Sequence, residues 1–175
     1  TAAIAALGLT ACGDIGDADT ADGTPQSIIS LSPTATEMLF AVGAGEQVVA
    51  VDDRSSYPAD APRTKLSGYT PNLEAILGYS PDLVVLADDN DDIVAGLERA
   101  GVQVLQLPAA ANLDDTYTQI EQVGAASGHV GDAAELVGNM RSEIDELFAS
   151  VPERETPLSY FHELDNTFYT VTDDS

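Results

Sequence analysis

The chain has 175 residues, of which 44% are hydrophobic, and this is enough for one folded domain with additional segments. It carries 30 acidic and 6 basic residues, which give a formal net charge of −24 at pH 7. Because so negative a surface repels phosphate backbones and anionic lipid headgroups, we exclude nucleic acid as a partner of the folded part. The acidic excess fits either solubility or adaptation to a salty medium, and composition does not separate the two.

The first residues resemble the end of a secretory signal. Residues 1–9 are small, apolar and uncharged, and Leu9-Thr10-Ala11-Cys12-Gly13 follows. This pattern resembles the bacterial lipobox, whose cysteine becomes the lipidated first residue of the mature protein, although an incidental cysteine is the alternative. We therefore predict a signal-peptide end and lipobox at residues 1–12, with Cys12 lipidated and the protein anchored outside the cytoplasm. Because a basic n-region and an initiating Met are lacking, we expect the natural chain to begin earlier.

Residues 13–26 are acidic and rich in turn formers. Such a segment buries too little apolar surface to order itself, so we predict a flexible acidic tether. The folded part then begins with residues 27–31, a short apolar run that predicts a buried strand. Ser32 and Pro33 are typical of the N-cap and first position of a helix, and Thr34 with Glu37 offers an alternative cap. A strand that enters a helix through a polar turn is where open α/β sheets bind ligands.

Short apolar strands then alternate with helices. This alternation predicts a Rossmann-like parallel α/β sheet with helices on both faces, within an amino-terminal lobe at residues 27–130. Residues 61–65 carry no clear pattern and are predicted to be irregular. The remaining predicted elements are strands at residues 47–51, 83–86 and 102–107 and helices at residues 72–77, 93–100 and 112–127.

A long helix is predicted at residues 131–151, because apolar residues recur on one side from Leu136 to Phe148. Arg141 is expected to face water with the acidic residues of the opposite side. After Pro152, residues 158–161 and 167–171 predict two strands. We interpret residues 152–175 as the start of an incomplete carboxyl-terminal lobe, and the long helix as the connection between the two lobes.

Several short motifs follow one another in a recognisable order: residues 28–37 (IISLSPTATE), 56–58 (SYP), 71–76 (PNLEAI) and 80–85 (SPDLVV). Together they resemble the periplasmic-binding family of ABC importers for vitamin B12, haem and ferric siderophores. The resemblance implies two Rossmann-like lobes, joined by one rigid helix, that hold a solute in the cleft between them. It also implies that Glu74 docks on an importer permease in the membrane.

The ligand cleft of this lobe is expected at the loops that follow the strands. Arg54 would suit a carboxylate or phosphate on the ligand, or else pairs with Asp52 or Asp53. Tyr69 would stack on a planar ligand, or else covers the core. The predicted ligand-binding residues are Ser32, Pro33, Thr34, Thr36, Arg54, Ser56, Tyr57, Tyr69, Thr70, Asp88 and Asn90.

The function predicted from the sequence is therefore capture of a corrinoid, a haem or a ferric siderophore by an importer's substrate-binding lipoprotein. We predict no cofactor and no metal site, since the acidic run at residues 88–92 is explained by capping of the next helix. The alternative is an extracytoplasmic α/β enzyme or metal-binding domain on a similar scaffold. No nucleophile–base or metal-ligand spacing supports that alternative, so we predict that the protein is not an enzyme.

Overall fold

The computed structural model describes residues 23–153, together with residues 155, 156, 158, 159 and 163. Two 3₁₀ turns, Ala44–Gln47 and Asn90–Asp92, accompany the regular elements. In chain order the regular elements are β1 (Ile28–Ser30), α1 (Pro33–Ala41), β2 (Val48–Asp52), β3 (Arg63–Leu66), α2 (Leu73–Leu77), β4 (Leu83–Leu86), α3 (Ile93–Arg99), β5 (Gln103–Gln106), α4 (Leu113–Ser127) and α5 (Val130–Ser150).

All five of these strands are parallel and lie in the order β3-β2-β1-β4-β5. The chain first builds outward from β1 to β3 and then returns to place β4 on the other side of β1. The strand order therefore reverses between β1 and β4, which is the point where open α/β sheets leave a crevice for a ligand. The parallel α/β class predicted from the sequence is confirmed.

The third strand corrects one prediction, because residues 63–66 form β3 where the sequence indicated irregular chain. β3 is an edge strand that pairs only with β2, and Arg63 and Lys65 on it are exposed. The Thr64 hydroxyl donates to the Val51 carbonyl at 2.7 Å and reinforces this pairing. An edge strand needs little apolar surface, so it lacks the hydrophobic run by which the other strands are recognised.

The sheet separates two hydrophobic clusters, since successive side chains along a strand point to opposite faces. Ile28 packs with α1, α4 and α5 on one face, while its neighbour Ile29 packs with α2 and α3 on the other. Both side chains are completely buried, and burial of each stabilises the fold by about 1.5–3 kcal/mol.

The predicted helix starts are confirmed at the caps. The Ser32 hydroxyl accepts from the Ala35 backbone N–H at 3.5 Å, with Pro33 at the first helical position of α1. Asn112 likewise accepts from the Asp115 N–H at 2.9 Å at the start of α4. Within the acidic run, Asp89 accepts from the Val94 N–H at 2.9 Å, so a carboxylate of that run does cap α3 as predicted.

The long helix α5 has 21 residues and is about 31 Å long. It packs on α4, whereas Phe148 near its end is 71% exposed. Arg141 is exposed, as predicted, and it also makes contacts with α4. Its guanidinium lies 2.9 Å from an Asp114 carboxylate oxygen and 4.1 Å from the centroid of the Tyr117 ring, so it joins α5 to α4.

Some sequence predictions fall outside the described residues, namely the signal-peptide end with Cys12, most of the acidic tether and the strand predicted at residues 167–171. Residues 158 and 159, within the other predicted carboxyl-terminal strand, are described and have no regular structure. Among the described helices, none combines the length and the hydropathy needed to cross a membrane.

Candidate functional site

A cleft of about 370 Å³ lies at the carboxyl edge of the sheet, where the strand order reverses. Loops that follow β1, β4 and β5 form its rim, and the first turns of α1 and α4 form its walls. Its position therefore follows from the topology rather than from a single motif. The residues that line this main cleft are Ser32, Thr34, Ala35, Met38, Ala87, Asp88, Leu107, Pro108, Ala109, Ala110, Thr116 and Gln119.

The main cleft is lined by small and apolar side chains with few charges. Met38 and Leu107 are buried beneath it, and Ala109 and Ala110 leave its β5 side open. Asp88 is the ionisable side chain in this lining, which contains no Arg, Lys or His. Such a lining suits a bulky ligand that carries little negative charge.

The loop after β5 is held in place by α4. The Gln119 side-chain amide, which is buried, donates to the Pro108 carbonyl oxygen at 2.6 Å. This bond fixes the backbone that carries Ala109 and Ala110 into the cleft. Sequence analysis missed this loop, although it follows a predicted strand, because alanine and proline offer no functional group to notice.

Thr36, predicted above to contact the ligand, is completely buried. Its hydroxyl donates to the Ser30 hydroxyl at 2.8 Å and lies 2.8 Å from the Ser55 hydroxyl. The Ser30 hydroxyl in turn donates to the Ser32 carbonyl at 3.0 Å. These residues join β1, α1 and the loop after β2 from beneath, so Thr36 shapes the site without being open to a ligand.

The loops after β2 and β3 lie to one side of the main cleft. Arg54 is 83% exposed, with its Nε 4.0 Å from an Asp53 carboxylate oxygen, which is the weak surface pair considered above. Tyr69 is 83% exposed and does not cover the core. Ser56 and Thr70 are also exposed.

The structure also shows the contacts or the exposure of three more residues predicted to be functional. The Asn90 side-chain amide donates to the Gly68 carbonyl at 3.0 Å and ties the β3 and β4 loops together. Pro33 is exposed at the start of α1, and Glu74 is exposed in the first turn of α2. Of the predicted ligand residues, Ser32, Thr34 and Asp88 line the main cleft.

Gly68 brings the β3 loop against the end of β1. A Cβ atom at this position would overlap the Leu31 carbonyl oxygen, so only glycine permits so close an approach. Across the part of the chain that the structure describes, no group of three His, Cys, Asp or Glu side chains could hold a metal ion.

Comparison with known proteins identifies the family of this chain. The profile of the periplasmic binding protein family matches residues 28–175. The chain belongs to this family. The resemblance drawn from the sequence motifs is thus confirmed, and the family is one of periplasmic binding proteins.

Two relatives illustrate the similarity. An uncharacterized ABC transporter substrate-binding lipoprotein of Bacillus subtilis, YvrC, is 32% identical over 142 residues, which are 76% of this chain and 45% of that protein. A cobalamin-binding protein of Halobacterium salinarum is 30% identical over 150 residues, 82% of this chain and 41% of that protein. The chain therefore spans about half the length of these relatives.

Solved structures of periplasmic binding proteins share the fold of this chain. A possible iron-binding, periplasmic solute-binding protein of Staphylococcus epidermidis matches with a TM-score of 0.68 and 27% identity, over 75% of this chain and 54% of that one. The periplasmic vitamin B12-binding protein BtuF of Vibrio cholerae matches with a TM-score of 0.61 and 27% identity, over 72% of this chain and 52% of that one.

Proposed function

We propose that this chain supplies a ligand-binding lobe of an ABC importer's substrate-binding protein, and that its solute is a corrinoid. The observation that carries the proposal is the main cleft, which lies where the strand order reverses and is lined by loops from three strands. A ferric siderophore or a haem belongs to the same predicted class of solutes. The chemistry of the cleft ranks these candidates.

The charge of the main cleft favours a corrinoid. Haem carries two carboxylates and many siderophores are anionic, so a receptor for them gains from Arg or Lys at the ligand. The lining instead holds Asp88 and no basic residue. It also lacks His, Tyr and Cys as axial ligands for haem iron, and its Met38 is 7% exposed. Two of the similar proteins above are a cobalamin-binding protein of Halobacterium salinarum and a vitamin B12-binding protein of Vibrio cholerae.

Delivery to a permease completes the proposal. The exposed carboxylate of Glu74 stands at the start of α2, away from the main cleft, where an arginine of a partner could reach it. Cys12 would carry the lipid anchor that keeps the protein beside the importer. Charge reversal by Glu74→Lys should impair uptake while leaving solute binding intact, and Glu98→Lys, at an exposed position of α3, is the matched control.

Thermal unfolding of the 175-residue chain with a panel of cyanocobalamin, haemin and ferric siderophores tests the ligand class. A ligand that binds only the folded state stabilises it by RT ln(1 + [L]/Kd), about 2.7 kcal/mol at a hundredfold excess over Kd. We expect cyanocobalamin to raise the melting temperature. A shift with haemin or a siderophore alone would transfer the proposal to that ligand, and no shift with any solute at concentrations well above 1 mM would contradict it.

A matched pair of variants localises the effect. Ala110→Trp fills the main cleft, whereas Ala125→Trp adds the same ring to an exposed position of α4 outside its lining. The first change should abolish the stabilisation by cyanocobalamin and the second should preserve it. Stabilisation that survives Ala110→Trp would place the ligand elsewhere.

A further inference from the structure

A second groove of about 310 Å³ runs over the outer face of α1 and opens beside the main cleft. We call it the side groove. Helices α1, α4 and α5 each contribute side chains to it, and the loop after β2 contributes an aromatic ring at its edge. Its lining includes Thr34, Met38, Tyr57, Thr116, Ile120 and Met140.

The side groove adjoins the main cleft. Thr34, Met38 and Thr116 line both spaces, so one extended ligand could contact both. On α4, Thr116 and Ile120 are four residues apart and therefore lie about 6 Å apart along one helix face. The shared wall is thus a rigid helical surface that extends from one space into the other.

The chemistry of the side groove differs from that of the main cleft. Tyr57 is 66% exposed at its edge, so the faces of its ring are open to contact. Met38 and Met140 also line the groove, and methionine sulfur makes favourable contacts with aromatic rings. The other ionisable group in this lining is the exposed carboxylate of Glu37, and no cationic side chain lines the groove. An uncharged, flat, aromatic group matches this surface.

We propose that the side groove binds a planar aromatic group carried by the same ligand that occupies the main cleft. For a corrinoid this group is the benzimidazole base of its nucleotide arm, with Tyr57 stacked on it. The inference rests on the proposed function, since it names how the same ligand extends beyond the main cleft. Tyr57 then discriminates between complete corrinoids and precursors that lack the base.

The test compares cyanocobalamin with dicyanocobinamide, which has the corrin ring but no base. Equilibrium dialysis of the 175-residue chain, read by corrin absorbance, gives both dissociation constants. We expect cyanocobalamin to bind about tenfold more tightly, as an aromatic stack with its buried area provides. Tyr57→Ala should remove this preference by weakening cyanocobalamin alone, while Tyr57→Phe, which keeps the ring, should retain it.

Tyr79→Ala is the matched control, because Tyr79 is also exposed but lines neither space. It should leave the preference unchanged. Equal affinities for the two corrinoids, or a Tyr57→Ala change that weakens both alike, would overturn the side groove as a subsite and leave the proposed function standing. Failure of both corrinoids to bind the unmodified chain would overturn both. Melting temperatures of the variants, expected to match the unmodified chain, verify that each one folds.

Discussion

Removal of one buried hydroxyl tests how the loops of the site are held. Thr36→Val keeps the shape of the side chain but removes its bonds to the Ser30 and Ser55 hydroxyls, both 2.8 Å away. The Ser30 bond shares the Thr36 proton with the Ser32 carbonyl at 3.1 Å, so the change removes one donor and one acceptor bond. Thr36, Ser30 and Ser55 are completely buried, so water cannot replace the lost partner without a rearrangement. Two hydrogen bonds at about 0.5–1.5 kcal/mol each give an expected loss of about 1–3 kcal/mol in the free energy of unfolding.

Chemical unfolding in urea, followed by circular dichroism, measures this loss directly. In a chain of this size it corresponds to a melting temperature lower by about 2–12 °C. Thr34→Val is the matched control, since it makes the same change two residues earlier in α1 at an exposed position. It should stay within about 0.5 kcal/mol of the unmodified chain. Equal stability of the Thr36 and Thr34 variants would refute the view that the buried hydroxyls clamp these loops.

Three further changes test the fold around the site. Gly68→Ala should lower the free energy of unfolding by about 1–3 kcal/mol, because the added Cβ meets the Leu31 carbonyl. Gly138→Ala in α5, where an added Cβ meets no atom, should instead raise it by up to about 1 kcal/mol. Urea unfolding measures both values, and similar effects of the two changes would contradict the close approach at Gly68. Asp89→Ala should lower the free energy of unfolding by about 0.5–2 kcal/mol, because the bond from the Val94 N–H is lost. Asp89→Asn keeps an acceptor oxygen and should retain most of that stability. An equal loss in both variants would show that the charge of Asp89 matters rather than the hydrogen bond. Raising KCl from 0.1 to 1 M shortens the Debye length from about 10 to about 3 Å, so the free energy of unfolding should increase for a chain of net charge −24. A decrease would argue against repulsion among the surface carboxylates.

The elements that could be predicted from the sequence are those whose signals are local. A run such as β4, apolar at every position, predicts a strand buried on both faces, and Ser32 and Asn112 cap their own helices within three residues. β3 escaped prediction because it is an exposed edge, where Arg63 and Lys65 are tolerated. Its strand character comes from pairing with β2 and not from its own composition.

The site was predicted in part for the same reason. Ligands bind beyond the carboxyl ends of parallel strands, and this rule correctly predicted the loops with Ser32 and Asp88. The order of the strands was not predicted, so the rule could not show which loops lie nearest the point where that order reverses. Polar residues were therefore favoured over Ala110, which lines the main cleft. Arg141 shows why contacts between helices could not be predicted. Its stacking on Tyr117 joins α5 to α4 and depends on how the two helices pack, which the sequence of neither helix indicates by itself.

The most direct measurement of the central claim is a ¹⁵N-HSQC titration of the 175-residue chain with cyanocobalamin, which detects binding even when it is weak. We predict saturable shifts of backbone amides around the main cleft, in Ser32 and Thr34 of the α1 start, Asp88, and Ala109 and Ala110 of the β5 loop. The backbone amides of the turn Ala44–Gln47, at the amino ends of the strands, should keep their chemical shifts. Saturable shifts confined to that turn, or no shifts at millimolar ligand, would contradict the assignment of the main cleft as a corrinoid site.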